Sequence, residues 1–291
     1  MNGKKMLILG GDRRFVTLAD RFVQDGGQVA VYGFSPEVEF DTQVERASDL
    51  ASAVAGKDLV ITGLPATNDD MTLRTPLYDG KVYLYELFRL MKPSQLLLGG
   101  KITKKMWGLG KIYSVSMADY LEREEMAVLN AIPTAEGALE IALRELPVTL
   151  HGAQVMVLGF GRIGKVLAHM LWGLGAKVCV EARKHEDLSW IRAYGYRGVH
   201  LSQLSEVAGG MQVIFNTVPH PVIDQRVISG LSRDCLIIDL ASAPGGVDAQ
   251  KAAAAGIRVI PALSLPGKVA PVTAGEIIAD TIRNIILDLE V

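Results

Sequence analysis

At 291 residues the chain is longer than one hydrophobic core organises comfortably, so two domains are expected. A formal charge of -2, from 30 basic and 32 acidic residues with no Lys/Arg-rich run, argues against a nucleic-acid partner. With 49% hydrophobic residues, 6% aromatic residues and 30 glycines, short buried strands alternating with helices are favoured over a β-sandwich, and an opening apolar run of only residues 6–9, too short for a membrane span, points to a soluble cytoplasmic protein.

In chain order, the first half reads as a strand at 6–9, the turn Gly10-Gly11-Asp12, a helix over 13–24 and a strand over 28–32. The beat continues with strands at 59–61, 96–98 and 112–115, each ending in glycine or a small polar residue, the edge at which open α/β sheets bind ligands. The polar stretch 67–79 between them reads as a surface loop. A charged helical stretch over 119–130 is interrupted at Ile132-Pro133, and a second helix from Thr134 to about 146 is expected to link the domains. Strands follow at 155–158, 178–180, 213–215, 236–239 and 258–260. Cys179 and Cys235 fall inside these strands without CxxC spacing, so neither a disulfide frame nor a zinc site is expected.

The two halves share one beat, which predicts two doubly wound, Rossmann-like parallel-sheet α/β domains with a cleft between them. The first is a flavodoxin- or Rossmann-like substrate domain, residues 1–131 plus 274–291, and the second a dinucleotide-binding domain, residues 132–273. The last helix, from 274 to 289, is expected to return to the first domain.

Gly159-Phe160-Gly161-Arg162-Ile163-Gly164 follows an apolar strand and precedes a helix, the context that gives G-x-G-x-x-G its meaning. The first glycine permits the turn and the second admits the pyrophosphate. The third lets helix and strand pack closely, and the helix N-terminus attracts the phosphates. Cofactor choice is read one strand later, where counting from Gly164 places Ala182 at the position of a ribose-binding acid, with Arg183 and Lys184 just beyond. NADP is therefore expected. If the strand ends one residue earlier, Glu181 becomes the ribose acid and NAD takes its place. Asn216, Thr217, Val218 and Pro219 end the next strand and should border the cofactor. Asp239 ends the one after, where it borders the cofactor or simply holds loop backbone.

His220 has the pKa range of a general base, or is an exposed loop histidine. The other histidines lack ligand spacing, so no metal is assigned. Arg14, behind the strand-to-helix turn 10–12, is placed to pair with a carboxylate, or else lies along its helix surface. The Pro-studded segment 265–275 reads as a rigid loop whose position between the domains makes Lys268 and Thr273 candidate substrate contacts, or as a plain hinge.

Taken together, Gly10-Gly11-Asp12 with Arg14, the segment 130–137, the glycine loop, Asn216-Thr217-Val218-Pro219, the segment 238–246 and the segment 265–275 resemble the A-subunit family of dipicolinate synthase, over nearly the whole chain. The resemblance implies oxidation of a dihydrodipicolinate-type ring to pyridine-2,6-dicarboxylate with hydride passing to NADP, in the mother cell of a sporulating bacterium. It also implies a partner, the flavoprotein-like B subunit of dipicolinate synthase, and a homo-oligomer is expected. Arg14 and Lys268 would hold the two carboxylates, with Thr134, Glu136, Ser242 and Thr273 as further polar contacts. His220-Pro221 departs from the family pattern, which argues against His220 as an essential base. Two other functions suit the same fold: an amino-acid or 2-hydroxy-acid dehydrogenase, and a non-catalytic NADP-binding regulatory subunit.

Overall fold

Short strands, mostly apolar and most of them followed by a turn and a helix, pair in parallel and bury both faces, and this constraint organises the chain. The computed structural model describes residues 1 and 3–289. Asn2, Glu290 and Val291, which the sequence reading assigns to the first domain, lie outside the described residues. The strands are β1 (Lys5–Leu9), β2 (Gln28–Tyr32), β3 (Glu45–Arg46), β4 (Leu59–Thr62), β5 (Leu96–Gly99) and β6 (Ser116–Asp119), then β7 (Gln154–Leu158), β8 (Lys177–Ala182), β9 (Arg197–His200), β10 (Val213–Asn216), β11 (Leu236–Asp239) and β12 (Arg258–Pro261).

They form two six-stranded parallel sheets, β3-β2-β1-β4-β5-β6 and β12-β11-β10-β7-β8-β9. Numbered within its own unit, each sheet has the order 3-2-1-4-5-6, the doubly wound order of dinucleotide-binding folds. The compact units are Met1–Asn130 with Ala270–Val291, and Ala131–Val269.

Alternation along each strand divides its side chains between two apolar layers. In the first unit Met6, Ile8, Leu59 and Ile61 join one layer, and Leu7, Leu9, Val60 and Leu97 the other. In the second, Val155, Val157, Val180 and Phe215 face one way, and Met156, Leu158, Cys179 and Ile214 the other. Both cysteines are buried, and loss of water around the thiolate pushes the thiol of Cys179 up to about 11 and that of Cys235 up to about 12, so neither is a nucleophile at neutral pH.

Several boundaries differ from the sequence reading, and proline accounts for two of them. Pro133 does not interrupt a helix. It sits in the first turn of helix Ala131–Glu145, where a missing N–H costs nothing. That helix is no linker, since Ala135, Ala138, Ile141 and Ala142 belong to the second unit's core. The segment 265–275 is not a loop either: Leu265–Val269 is a short helix, and the last helix starts at Pro271, its N1 position. Thr273 therefore lies in the first unit. The strand expected at 112–115 lies instead at Ser116–Asp119, because helix Lys104–Ile112 runs on to an exposed Ile112 and Ser114 turns the chain with a positive φ of 55°.

The last helix, Pro271–Asp288, buries Ile277, Ile278, Ile282 and Ile285 in the first unit's core and packs along helix Arg13–Gln24. Arg283 pairs with Asp25 across this contact. The crossing is close: a Cβ on Gly275 would lie 2.5 Å from the Arg14 carbonyl oxygen and 2.8 Å from Thr17 Cβ. Gly275→Ala is accordingly expected to lower stability by about 1–3 kcal/mol through overpacking, outweighing the ~1 kcal/mol that alanine gains over glycine within a helix. A urea melt reads the sign, and a raised midpoint would show the contact to be slack.

Candidate functional site

The glycine loop joins β7 to helix Arg162–Gly173, and each glycine has its own physical reason. Gly159 has φ +89°, and a Cβ there would meet Thr217 Oγ1 at 2.7 Å and Val218 Cγ2 at 2.9 Å. A Cβ on Gly164 would lie 2.0 Å from the Gly159 carbonyl oxygen, so any side chain would push the helix off the strand end. A Cβ on Gly161 would meet nothing within 4 Å. Its vacant side faces open space at the helix N-terminus, where Gly161 is the N-cap and no side chain caps the turn. The first N–H groups are thus left to an anion, the arrangement that receives a dinucleotide pyrophosphate.

Beside this loop lies a cavity of about 190 Å³, lined by Gly159, Phe160, Gly161, Glu181, Ala182, Arg183, Lys184, Asp187, Val218 and Val222. It collects Gly159, Gly161, Ala182, Arg183, Lys184 and Val218 of the expected cofactor residues. Ala182 is the last residue of β8, paired with His200, and the exposed Arg183 and Lys184 follow it. Arg162 and Ile163 form the helix's first turn. A larger cavity of about 570 Å³, lined by Glu145, Gln212, Leu236 and Arg258 among others, lies at the strands' amino edge, away from the end where open α/β sheets bind ligands.

Asn216 and Asp239 shape the neighbouring edge. Asn216 is fully buried and donates from Nδ2 to Asp239 Oδ1 (2.8 Å) and to the Val218 carbonyl (3.0 Å). Asp239 also accepts from the N–H groups of Ala241 (3.2 Å) and Gly246 (3.1 Å), so it ties down the loop behind β11. A Cβ on Gly246 would lie 2.0 Å from Asn216 Nδ2, which explains the glycine. Thr217 donates to the Leu158 carbonyl at 2.7 Å and so holds the β10 end against the glycine loop. Pro219 and His220 are exposed. His220 lines a different cavity, with Ser202, Asp224 and Arg226.

The expected substrate residues lie on several elements of both units. Thr134 is buried and Glu136 exposed on helix Ala131–Glu145. Exposed Lys268 lies on helix Leu265–Val269, which packs against the same helix at Gly137. Ser242 is exposed on the loop behind β11, whereas Thr273 and Arg14 belong to the first unit.

Arg14 is not an unengaged cation. It is 6% exposed, and its Nε and Nη2 each donate to Asp12 at 2.8 Å while Nη2 also reaches the Leu64 carbonyl at 2.8 Å. Arg74, which the sequence reading missed, joins the same carboxylate at 3.1 Å with a more exposed side chain. No local signal marked Arg74, because its partner stands 62 residues earlier in the chain. Asp12 also caps its helix by accepting from the Arg14 N–H at 3.2 Å. Burial pushes the Asp12 carboxyl up, but hydrogen bonds and charge from Arg14, with Arg74, overcome this and hold it below the usual carboxylate range.

Two outcomes follow. Gly161→Ala should leave the unfolding free energy within about 0.5 kcal/mol of the parent while weakening dinucleotide binding more than roughly tenfold, since its methyl would enter the anion's space; unchanged affinity by titration calorimetry would contradict the assignment. Asp12 has a depressed folded-state pKa, so its contribution is complete above the unfolded value near 3.8 and is lost as pH falls through the folded one. Asp12→Asn should therefore cost roughly 2 kcal/mol at pH 7 and progressively less in urea melts taken below pH 4, whereas a pH-independent cost would refute the ion-pair account.

Comparison with known proteins agrees with this geometry. Residues 5–121 match the family model of the N-terminal domain of the dipicolinate synthase A subunit, and residues 134–255 match that of the D-isomer specific 2-hydroxyacid dehydrogenase NAD binding domain. The chain is 29% identical to the dipicolinate synthase A subunit of Bacillus subtilis (strain 168), over 100% of its own length and 98% of the relative's. The crystal structure of the dipicolinate synthase A subunit from Bacillus halodurans has 30% identity and a TM-score of 0.92, with 98% of each chain covered. A transhydrogenase from Sinorhizobium meliloti shares the fold at 12% identity, with a TM-score of 0.71 over 97% of this chain and 94% of the other. The chain belongs to the A-subunit family of dipicolinate synthase, with an oxidoreductase's domain for a nicotinamide dinucleotide in its second half.

Proposed function

We propose that this chain oxidises a dihydrodipicolinate-type ring to pyridine-2,6-dicarboxylate using NADP, as the A subunit of a complex with a B subunit, in the cytoplasm of a sporulating cell. The observation that carries the NADP reading is the glycine-loop cavity with Ala182, not an acid, ending β8 and the exposed Arg183 and Lys184 directly after it. The substrate assignment rests on the full-length likeness to the dipicolinate synthase A subunit.

When bound, NADP supplies the hydride acceptor. The chain's own residues do the holding. The uncapped turn at Arg162, Ile163 and Gly164 receives the pyrophosphate, and Arg183 and Lys184 pair with the 2′-phosphate. The network of Asn216, Thr217 and Asp239 keeps the rim formed by Val218 and Pro219 in place, so the bound ring has one position rather than several. For the substrate's carboxylates the proposal keeps Lys268 and Arg14, and adds Arg74 as the more exposed partner in the Asp12 cluster. Thr134, Glu136, Ser242 and Thr273 remain proposed polar contacts.

A dihydropyridine gains aromaticity when it loses hydride and a proton, so binding and orientation carry most of the task and no elaborate acid–base set is required. This distinguishes the proposal from a 2-hydroxy-acid dehydrogenase, which must take a hydroxyl proton. Among the described residues no histidine is paired with a carboxylate: His200 bonds Ser202 and the Arg183 carbonyl and stacks on His185. Assembly as a homo-oligomer is part of the same proposal.

The test is reduced-nicotinamide absorbance with the purified chain, NADP or NAD, and the freshly prepared condensation product of pyruvate and aspartate semialdehyde, with and without a B subunit. The expected result is NADP reduction in step with formation of the pyridine dicarboxylate. Binding of NADP with no reduction in either mixture would transfer the assignment to a regulatory role, and turnover of a 2-hydroxy acid instead would transfer it to that dehydrogenase class.

A further inference from the structure

Among the acids around the glycine loop, one has no structural task. Glu181 is 2% exposed, and its Oε1 has no hydrogen-bond partner among the described residues. Its register opposite Leu158 places it at the carboxyl end of β8, and alternation turns it to the Cys179 side of the sheet, into the cavity it shares with Gly159, Gly161, Arg183 and Val218. An unpaired buried oxygen of this kind is costly to keep unless a ligand satisfies it. Asp239, three strands away in sheet order, is buried to a similar degree but spends its oxygens on loop backbone. Glu181 instead points an unspent oxygen at the place where the adenosine ribose of a dinucleotide belongs.

We propose that Glu181 selects between the two nicotinamide dinucleotides by its proton: protonated, its O–H donates to a 2′-phosphate lying over Arg183 and Lys184; ionised, it accepts from the hydroxyls of an unphosphorylated ribose. This rests on the reading that Arg183 and Lys184 receive a 2′-phosphate. A phosphate beside an ionised carboxylate in so small a cavity is repelled, so NADP is held best with Glu181 protonated. The balance is simple: where a fraction of the free chains carries the Glu181 proton, NADP binding draws from solvent the proton that the remaining chains lack, NAD binding releases the proton that fraction holds, the two amounts sum to one, and no bond of either dinucleotide changes.

The charged groups around Glu181 are few. Arg183 and Lys184 follow just beyond the end of its strand, Asp187 lies on the next helix, and His200 ends the neighbouring β9. The glycine loop contributes only N–H groups, and the segment behind β10 contributes Val218 and Val222. Burial pushes the carboxyl above its ordinary range, against the opposing pull of the Gly159 N–H, Arg183 and His200. The proton is thus held more tightly than in water before any phosphate arrives.

Titration calorimetry of the full chain with NADP and with NAD tests this, run between pH 5.5 and 8.5 in buffers of different protonation enthalpy, for the parent and for Glu181→Gln. The 2′-phosphate itself titrates near pH 6, but equally in both proteins. The parent is expected to take up more protons with NADP than the variant does. Its preference for NADP over NAD should also fall roughly tenfold further across the range, the effect of one unit of pKa displacement. Equal proton uptake and parallel selectivity curves would overturn the proposal. Should Glu181→Gln fail to fold, the parent's NAD titration decides, because NAD carries no group of its own that titrates in this range: proton release that grows toward pH 5.5 supports the switch and its absence there refutes it. Arg183→Ala isolates the underlying reading. Undiminished NADP preference in that variant would sink the 2′-phosphate assignment, while proton release with NAD would still decide separately whether Glu181 titrates on binding.

Discussion

The second unit is organised around one contact, the backbone of Gly164 against the Gly159 carbonyl, too close for any side chain. Because helix Arg162–Gly173 starts so near the end of β7, its uncapped N–H groups open toward the carboxyl edge of the sheet rather than into a packed loop. The same closeness sets the loop's curvature, forces a positive φ at Gly159 and brings Thr217 and Val218 up against it. Burial of the central strands on both faces then fixes where the ends of β8, β10 and β11 stand around that loop.

The first unit has the same strand order and a comparable turn, yet its chemistry is different. There the helix N-terminus is already satisfied: the Asp12 side chain caps it, and Arg14 and Arg74 neutralise the carboxylate. Thr75 Cγ2 would lie 2.4 Å from a Cβ on Gly10, so the segment behind β4 presses on the turn as well. One topology therefore yields an uncapped, anion-accepting loop in one unit and, in the other, a capped turn whose carboxylate is shared by two arginines. The difference comes from whether the cap is a glycine or an aspartate.

Buried polar groups divide the site into parts that hold shape and parts that await a ligand. Asn216 and Asp239 satisfy each other and four backbone groups, which makes the rim behind β10 and β11 stiff. Asp119 does the same in the first unit, accepting from Lys101, Ile102 and Leu121. Glu181 alone of these acids leaves an oxygen unmatched.

Much of this was legible in the sequence, because periodicity and glycine spacing are local properties. The alternation of strand and helix, the two-domain arrangement of doubly wound sheets and the G-x-G-x-x-G loop with Ala182, Arg183 and Lys184 behind it all follow from residues close together in the chain. The sequence by itself also determined that Pro133 and Pro271 stand near helix starts, although not that the helices begin just before the first and at the second, since proline is tolerated in a first turn and excluded only deeper in a helix. What only the tertiary structure decided are relations between distant residues. Arg14 and Arg74 share Asp12, Asn216 meets Asp239 and Gly246, Gly275 meets the Arg14 backbone, and Glu181 is buried with its Oε1 left unmatched. No window of the chain contains both members of such a pair, and burial, which sets the cost of each polar group, exists only once the sheets have closed.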